Sequence, residues 1–191
     1  IVTQYFWPEN FRVNELATEL SKKGHKLDVL TGIPNYPLGY TFHEFKKNPH
    51  KYYKYNEIKI YRARHWLRGS NKLSLLLNYI SFPIFASIYA IFLAKKTKYD
   101  LVLGIQLSPI FSIFPGVILK KFFKIPLYVW ILDIWPDSIQ ATNKHISKPL
   151  LKTIEKICKK IYSSANALFL TSKGFEKRLI EMNIDHRKLI Y

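Results

Sequence analysis

Three short stretches of the chain carry side chains able to act on a polar substrate. The first is Asp133-Ile134-Trp135-Pro136-Asp137-Ser138, which sets two carboxylates close together in a basic chain. A carboxylate at a cleft can take the proton of an attacking hydroxyl. Asp133 is therefore the candidate catalytic residue, with Asp137 and Ser138 as candidate substrate contacts. The plainer reading has Asp137 or Ser138 capping a helix and Asp133 paired with a nearby Lys or Arg. The second stretch is Trp7-Pro8-Glu9-Asn10-Phe11-Arg12, which leads into a helical pattern. A helix amino terminus offers unpaired N–H groups and partial positive charge, suited to a phosphate or a sugar hydroxyl. Arg12 adds a fixed charge. The alternative is a turn capped by Asn10, with a surface arginine. The third stretch is Gly32 to Gly39, where Asn35 can hydrogen-bond hydroxyls and Tyr36 can stack on a ring. Glycine there lets backbone approach a ligand closely. A rigid Pro/Gly connection is equally compatible with these residue types.

Other chemistries find less support. The Gly-x-Gly-x-x-Gly dinucleotide signature is absent, so no nicotinamide cofactor is expected. The six histidines (His25, His43, His50, His65, His145, His186) show no paired ligand spacing, and Cys158 stands alone, so no metal set is expected. A single cysteine also excludes a disulfide framework.

The elements that must position these residues alternate between strand and helix. Ile1 to Phe6 reads as a buried strand already under way. Val13, Leu16, Ala17 and Leu20 then recur at helical spacing and stop at Gly24. Strands are expected at Lys26–Thr31, Ile58–Ala63, Asp100–Gly104, Pro126–Leu132 and Ala167–Thr171. Helices are expected from Ser108-Pro109 to Phe123, after Ser147, and from Lys173 to Met182. The stretch from His43 to Lys54 fits no clear pattern. Solidly apolar strands alternating with helices argue for a parallel sheet covered on both faces, a Rossmann-like, doubly wound α/β domain. In such folds ligands bind at the carboxyl ends of the strands. The loops of interest are thus Tyr5–Arg12, Thr31–Gly39, Gly104–Pro109, Asp133–Ser138 and Thr171–Gly174.

The 191 residues suit one domain, and 48% apolar content is enough to build a core. Thirty Lys and Arg against 13 Asp and Glu leave a net charge of +17, attractive to any anion. Only six of the thirty are Arg, the residue that reads nucleic acid best, so no nucleic-acid partner is expected. Leu73 to Ala94 runs 22 residues without a charge, long enough to span a bilayer. Spanning would pull one crossover off the sheet, so a core helix with a partly exposed apolar face is expected, ringed by Lys72, Lys95 and Lys96. Such a face suits docking on an anionic membrane surface. The helix after Ser147 carries Lys148, Lys152, Lys156, Lys159 and Lys160, read first as a solvated face. Both ends look like strands cut short, which implies a longer polypeptide.

The order of Tyr5-Phe6-Trp7-Pro8-Glu9-Asn10-Phe11-Arg12, Gly24-His25, Gly32-Ile33-Pro34-Asn35-Tyr36-Pro37 and Asp133-Ile134-Trp135-Pro136-Asp137-Ser138 resembles a known family. The chain is similar, over nearly its whole length, to the amino-terminal domain of family 4 glycosyltransferases of the two-domain GT-B type. The closest likeness is to the bacterial branch that builds O-antigen, capsule and exopolysaccharide, including transferases of N-acetylated fucosamine-type sugars. The resemblance implies a retaining enzyme with two Rossmann-like domains facing a cleft. The amino-terminal domain would hold a lipid-linked saccharide acceptor. The nucleotide-diphosphate sugar would be held mainly by a carboxy-terminal domain that this chain does not reach. This chain would then be half an enzyme, inactive alone, working in the cytoplasm at the inner face of the plasma membrane. Many members carry a His where Asp133 stands, which leaves open whether Asp133 acts as base or orienter. The rival reading is a non-catalytic α/β module that binds an anionic membrane or other polyanion.

Overall fold

The computed structural model describes residues 1–69, 71–142 and 146–191. Its elements follow the alternating pattern: α1 (Arg12–Lys22), β1 (Asp28–Thr31), α2 (His43–Lys47), β2 (Lys54–Tyr55), β3 (Ile58–Arg62), α3 (Lys72–Lys96) and β4 (Val102–Gln106). Then come α4 (Phe114–Phe123), β5 (Leu127–Ile131), α5 (Asp137–Thr142), α6 (Lys148–Ser164), β6 (Ala167–Leu170), α7 (Lys173–Glu181) and β7 (Leu189–Ile190). The expected opening strand shrinks to a bridge at Val2. Val2 gives its N–H to Leu103 and accepts from Ile105 on the β4 side, while on the β1 side Leu30 donates to Ile1 and Thr3 donates to Leu30. Val2 thereby joins the set β2-β3-β1 to the all-parallel set β4-β5-β6-β7. β2 alone runs antiparallel, at the edge. The result is a Rossmann-like α/β fold.

Several boundaries differ from expectation. The unplaced stretch from His43 holds α2, a 3₁₀ turn at Pro49–Tyr52 and β2. The helix expected from Ser108 opens as a 3₁₀ turn at Ile110–Ile113, and α4 then starts with Pro115 in its first turn. Asn10 does not cap α1: Phe11 occupies the cap position and makes no side-chain bond. At the other end Gly24 (φ +87°) closes α1 in a Schellman turn, with Gly24 N–H on Ser21 and His25 N–H on Leu20. Leu73 to Ala94 lies within one helix, with Pro83 inside it and the Ser87 hydroxyl donating to the Pro83 carbonyl.

The strand order runs outward from Val2 in both directions. Right-handed crossovers then put α1 on one face and α3, α4, α6 and α7 on the other. The core divides accordingly. Val13 and Ala17 of α1 pack with Phe6, Val29, Ile58, Ile60 and Ile105. Phe82, Ala86 and Ala90 of α3, Leu119, Cys158, Tyr162 and Leu179 pack with Leu127, Val129, Ile131 and Leu168. The expectation of full cover on both faces holds only in part. Beyond β4, the α1 face shows Tyr128, Trp130 and Phe169 half-buried, with Tyr128 stacked on Phe169 at 6.2 Å.

Candidate functional site

The strand order reverses between Val2 and β4, so the loops that follow them part and leave a crevice at the carboxyl end of the sheet. The first of these loops is held to its neighbour by one carboxylate. Glu9 is 3% exposed, and its Oε1 accepts the N–H groups of Asn35 (2.9 Å) and Tyr36 (2.7 Å). Its Oε2 is buried and has no hydrogen-bond partner among the described residues. Burial pushes the Glu9 carboxyl up to about 7, against the pull of those two N–H groups.

Asn35 is fully buried, and both ends of its amide are occupied. Its Nδ2 donates to the Ile33 carbonyl at 2.7 Å and lies 3.2 Å from His65 Nε2. Its Oδ1 accepts from the Arg68 N–H at 3.3 Å. Asn35 thus shapes its loop, and as a fully buried residue it presents no amide surface to a ligand. His65 sits beneath Gly32, where an added Cβ would lie 2.6 Å from the imidazole Cε1. Only glycine fits that contact. Burial pulls the His65 imidazole down to about 4, so it is neutral at pH 7.

Arg62, the last residue of β3, fastens three segments together. Its guanidinium donates to the backbone carbonyls of Trp7, Gly32 and Tyr52. Burial lowers it to about 10, partly offset by the nearby Glu9 charge. Trp7 packs sideways on Tyr52 (4.9 Å between rings) and Tyr55 (5.4 Å). Tyr36 is 37% exposed and closes an aromatic group with Tyr5 (5.2 Å) and Phe11 (5.4 Å), with the Arg68 guanidinium 5.8 Å from its ring. Arg12 is exposed in the first turn of α1, and Pro8 is half-buried.

A second polar group lies beyond β4 and β5. Gln106, at the end of β4, donates through Nε2 to the backbone carbonyl of Asp133 and accepts the Tyr162 hydroxyl at 3.0 Å. Tyr162 also accepts the Trp135 N–H at 3.1 Å, and the Trp135 indole N–H donates to Ser108 Oγ at 3.1 Å. Asp133 is half-buried, and its Oδ1 accepts the Ser138 hydroxyl. Asp133 Oδ2 takes no hydrogen bond among the described residues. Asp137 is committed elsewhere. The Arg178 Nε donates to both its oxygens (3.0 and 2.9 Å), and the same guanidinium reaches Glu155 at 2.9 Å.

The expected residues therefore divide. Asp133, Tyr36 and Arg12 keep accessible polar or aromatic surface at the crevice end of the sheet. Glu9, Asn35 and Ser138 position others, Asp137 ties α5 to α6 and α7, and Trp7 packs under the edge. Asn10 is exposed and outside the helix cap. Sequence reasoning passed over Arg62, His65 and Arg68, and marked Gln106 only as part of the loop Gly104–Pro109. Arg62, His65 and Arg68 close or follow β3, so the rule that marked the other strand ends would have found them. Among the described residues no three His, Cys, Asp or Glu side chains converge as a metal set, and His145 lies outside those residues. Two cavities, of about 40 and 530 Å³, lie at the opposite end of the sheet, lined by Ile1, Asp28 and Tyr99, and by Lys95 to Asp100 with Phe123 to Pro126. No family model matches the chain, and no curated protein matches it.

Proposed function

We propose that the protein is the acceptor-binding domain of a retaining glycosyltransferase. The intact enzyme would move a hexosyl residue, N-acetylated in the branch the chain resembles, from a nucleotide-diphosphate sugar to a lipid-linked saccharide. The observation that carries this reading is Asp133. Its carboxylate stands at the carboxyl end of β5, half-buried, with one oxygen held by Ser138 and its backbone held by Gln106. A carboxylate fixed this way can orient an acceptor hydroxyl or take its proton. Tyr36, in the loop after β1, offers partly exposed ring surface at the same end of the sheet, and Arg12 offers positive charge. Glu9, Asn35 and Arg62 hold the loops that present these groups.

The donor side of the reaction belongs, in this proposal, to a second domain. The test is transfer by the intact enzyme to a lipid-diphosphate saccharide. Asp133→Asn should lower kcat by about 100-fold or more, the range of a lost acid–base group. Turnover within a few-fold of wild type would remove Asp133 from the chemistry. The net charge of +17 supports a second reading, a module that binds anions without catalysis. Binding by charge alone falls steeply with salt and ignores Asp133→Asn. A shaped saccharide site keeps its selectivity at high salt.

A further inference from the structure

α3 is apolar on two opposite faces. Asn78, Phe82, Ala86, Ala90 and Leu93 face the core and are buried. The stripe offset by two residues, Leu76, Ile80, Ile84 and Ile88, is about half exposed, reaching 62% at Ile88. Leu73, Phe85 and Phe92 extend it. Two residues advance a helix by about 200°, so this stripe points away from the sheet. The inner face mixes Phe82 and Leu93 with alanines, and the outer stripe is as apolar as the inner one, unlike the polar outer face of an ordinary surface helix. Neighbouring α4 adds exposed Phe114 and Phe122.

The charge around this face is one-sided. The 75 residues from Ile58 to Leu132 hold eleven Lys and Arg and a single carboxylate, Asp100. Lys96 places its ammonium 4.0 Å from the Phe92 ring, and Lys121 lies 5.5 Å from the Phe122 ring. Lys72 and Arg64 are exposed near the other end of the helix. The amino end of α3 also meets the candidate site. Asn78 accepts from Gln4 and donates to the Trp66 carbonyl, and exposed Trp66 bonds Ser74 and Ser81.

We propose that the outer face of α3, with Phe114 and Phe122 of α4, lies in the surface of an anionic lipid bilayer. The apolar stripe enters the headgroup boundary, and the lysines at its ends meet lipid phosphates. The inner face stays on the sheet, so α3 lies in the membrane plane and does not cross it. Trp66 and the crevice end of the sheet are then held beside the bilayer, where a lipid-borne substrate would be met. The surface contact stands on α3 and its charges alone; only that last consequence rests on the transferase reading.

Co-sedimentation with vesicles, in the absence of any sugar, tests the contact. Wild-type protein should bind vesicles of mixed phosphatidylethanolamine and phosphatidylglycerol and bind phosphatidylcholine vesicles more weakly. Ile84→Gln with Ile88→Gln should lower binding by about tenfold or more, since two half-exposed side chains lose their apolar contact. Both sites are exposed, so the fold should be unchanged, checked by circular dichroism. Lys95→Glu with Lys96→Glu should remove the preference for the anionic lipid. Undiminished binding by the isoleucine variant would overturn the proposal. So would a wild-type protein that ignores vesicles and self-associates through the same residues in sedimentation velocity. Protein released from membranes by detergent but not by alkaline carbonate would also overturn it, because α3 would then span. Failure of sugar transfer with intact vesicle binding would count against the transferase reading alone.

Discussion

Glu9 keeps an ionisable group out of water to hold two backbone N–H groups in place. Its folded value of about 7 stands above the usual 4.5, so between those values the folded state keeps a proton that the unfolded state has released. The stability from that bound proton is complete below pH 4.5 and is lost as pH rises through 7. His65 acts in the other direction. Its imidazole is held near 4 against the ordinary 6.5, so stability is lost as pH falls from 6.5 towards 4. The two slopes oppose each other between pH 4.5 and 6.5. Glu9→Gln keeps an acceptor for Asn35 and Tyr36 and removes the titration. Urea unfolding from pH 4 to 8 should show the variant gaining on wild type by about 2–3 kcal/mol between pH 4.5 and 7, then running parallel. Parallel curves throughout would mean that Glu9 does not hold its proton. Gly32 gives a simpler expectation. Alanine there drives a methyl into His65 and the Gln4 carbonyl, which lies 2.9 Å from the added carbon. Gly32→Ala should cost about 1–3 kcal/mol by the same measurement. An unchanged midpoint would show that His65 moves aside freely.

At the scale of elements, the crevice loops are short irregular segments fastened by side chains from a strand end. Arg62 does most of this through the Trp7, Gly32 and Tyr52 carbonyls. Arg62→Met keeps much of the stem and leaves three buried carbonyls short of a donor, at a cost of about 3 kcal/mol or more. Hydrogen exchange should quicken first in residues 5–11, 32–39 and 49–53. Exchange that quickens evenly across the sheet would show that Arg62 supports the whole fold and not these loops. The strand and helix alternation was legible in the chain because apolar runs and Gly or Pro punctuation are local signals. β1, β3, β5 and β6 fall within their expected spans, and β4 shifts towards Gln106. The bonds of Asn35, Glu9 and Asp137 were not legible. Each depends on a partner brought from 26 to 41 residues away, and residue type does not reveal whether a carboxylate faces solvent or a neighbour. The two-faced α3 was expected in outline, as a core helix with a partly exposed apolar face, but which residues form each face was not legible. Apolar side chains on opposite faces cancel the helical periodicity that a single buried stripe would display.

The whole sheet depends on one narrow joint. β1 and β3 reach the β4–β7 set through Val2, which bridges Leu30 on one side and Gly104 on the other. Its N–H to Leu103 and its carbonyl from Ile105, both near 2.9 Å, are the ladder bonds to β4. The helices on either side add side-chain contacts across the joint, since Val2 and Leu30 share the α3 core while Ile105 shares the α1 core. The bonded connection is nevertheless short compared with the five-residue registers of β4 on β5. Val2→Pro deletes the donor to Leu103 and crowds the ladder, for about 2–4 kcal/mol. The loss should not spread evenly. β1 and β3 should open at lower free energy than β5 and β6, because the parallel set keeps all its own pairings. Native-state hydrogen exchange at rising urea would then show two opening levels in the variant where wild type shows one. A single shared level in the variant would mean that packing by α1 and α3 couples the halves, and that the bridge at Val2 contributes register more than cohesion. The loops of the candidate site part at this same joint, so in the proposed transferase Val2→Pro should also weaken acceptor binding although Val2 lies outside the candidate contacts.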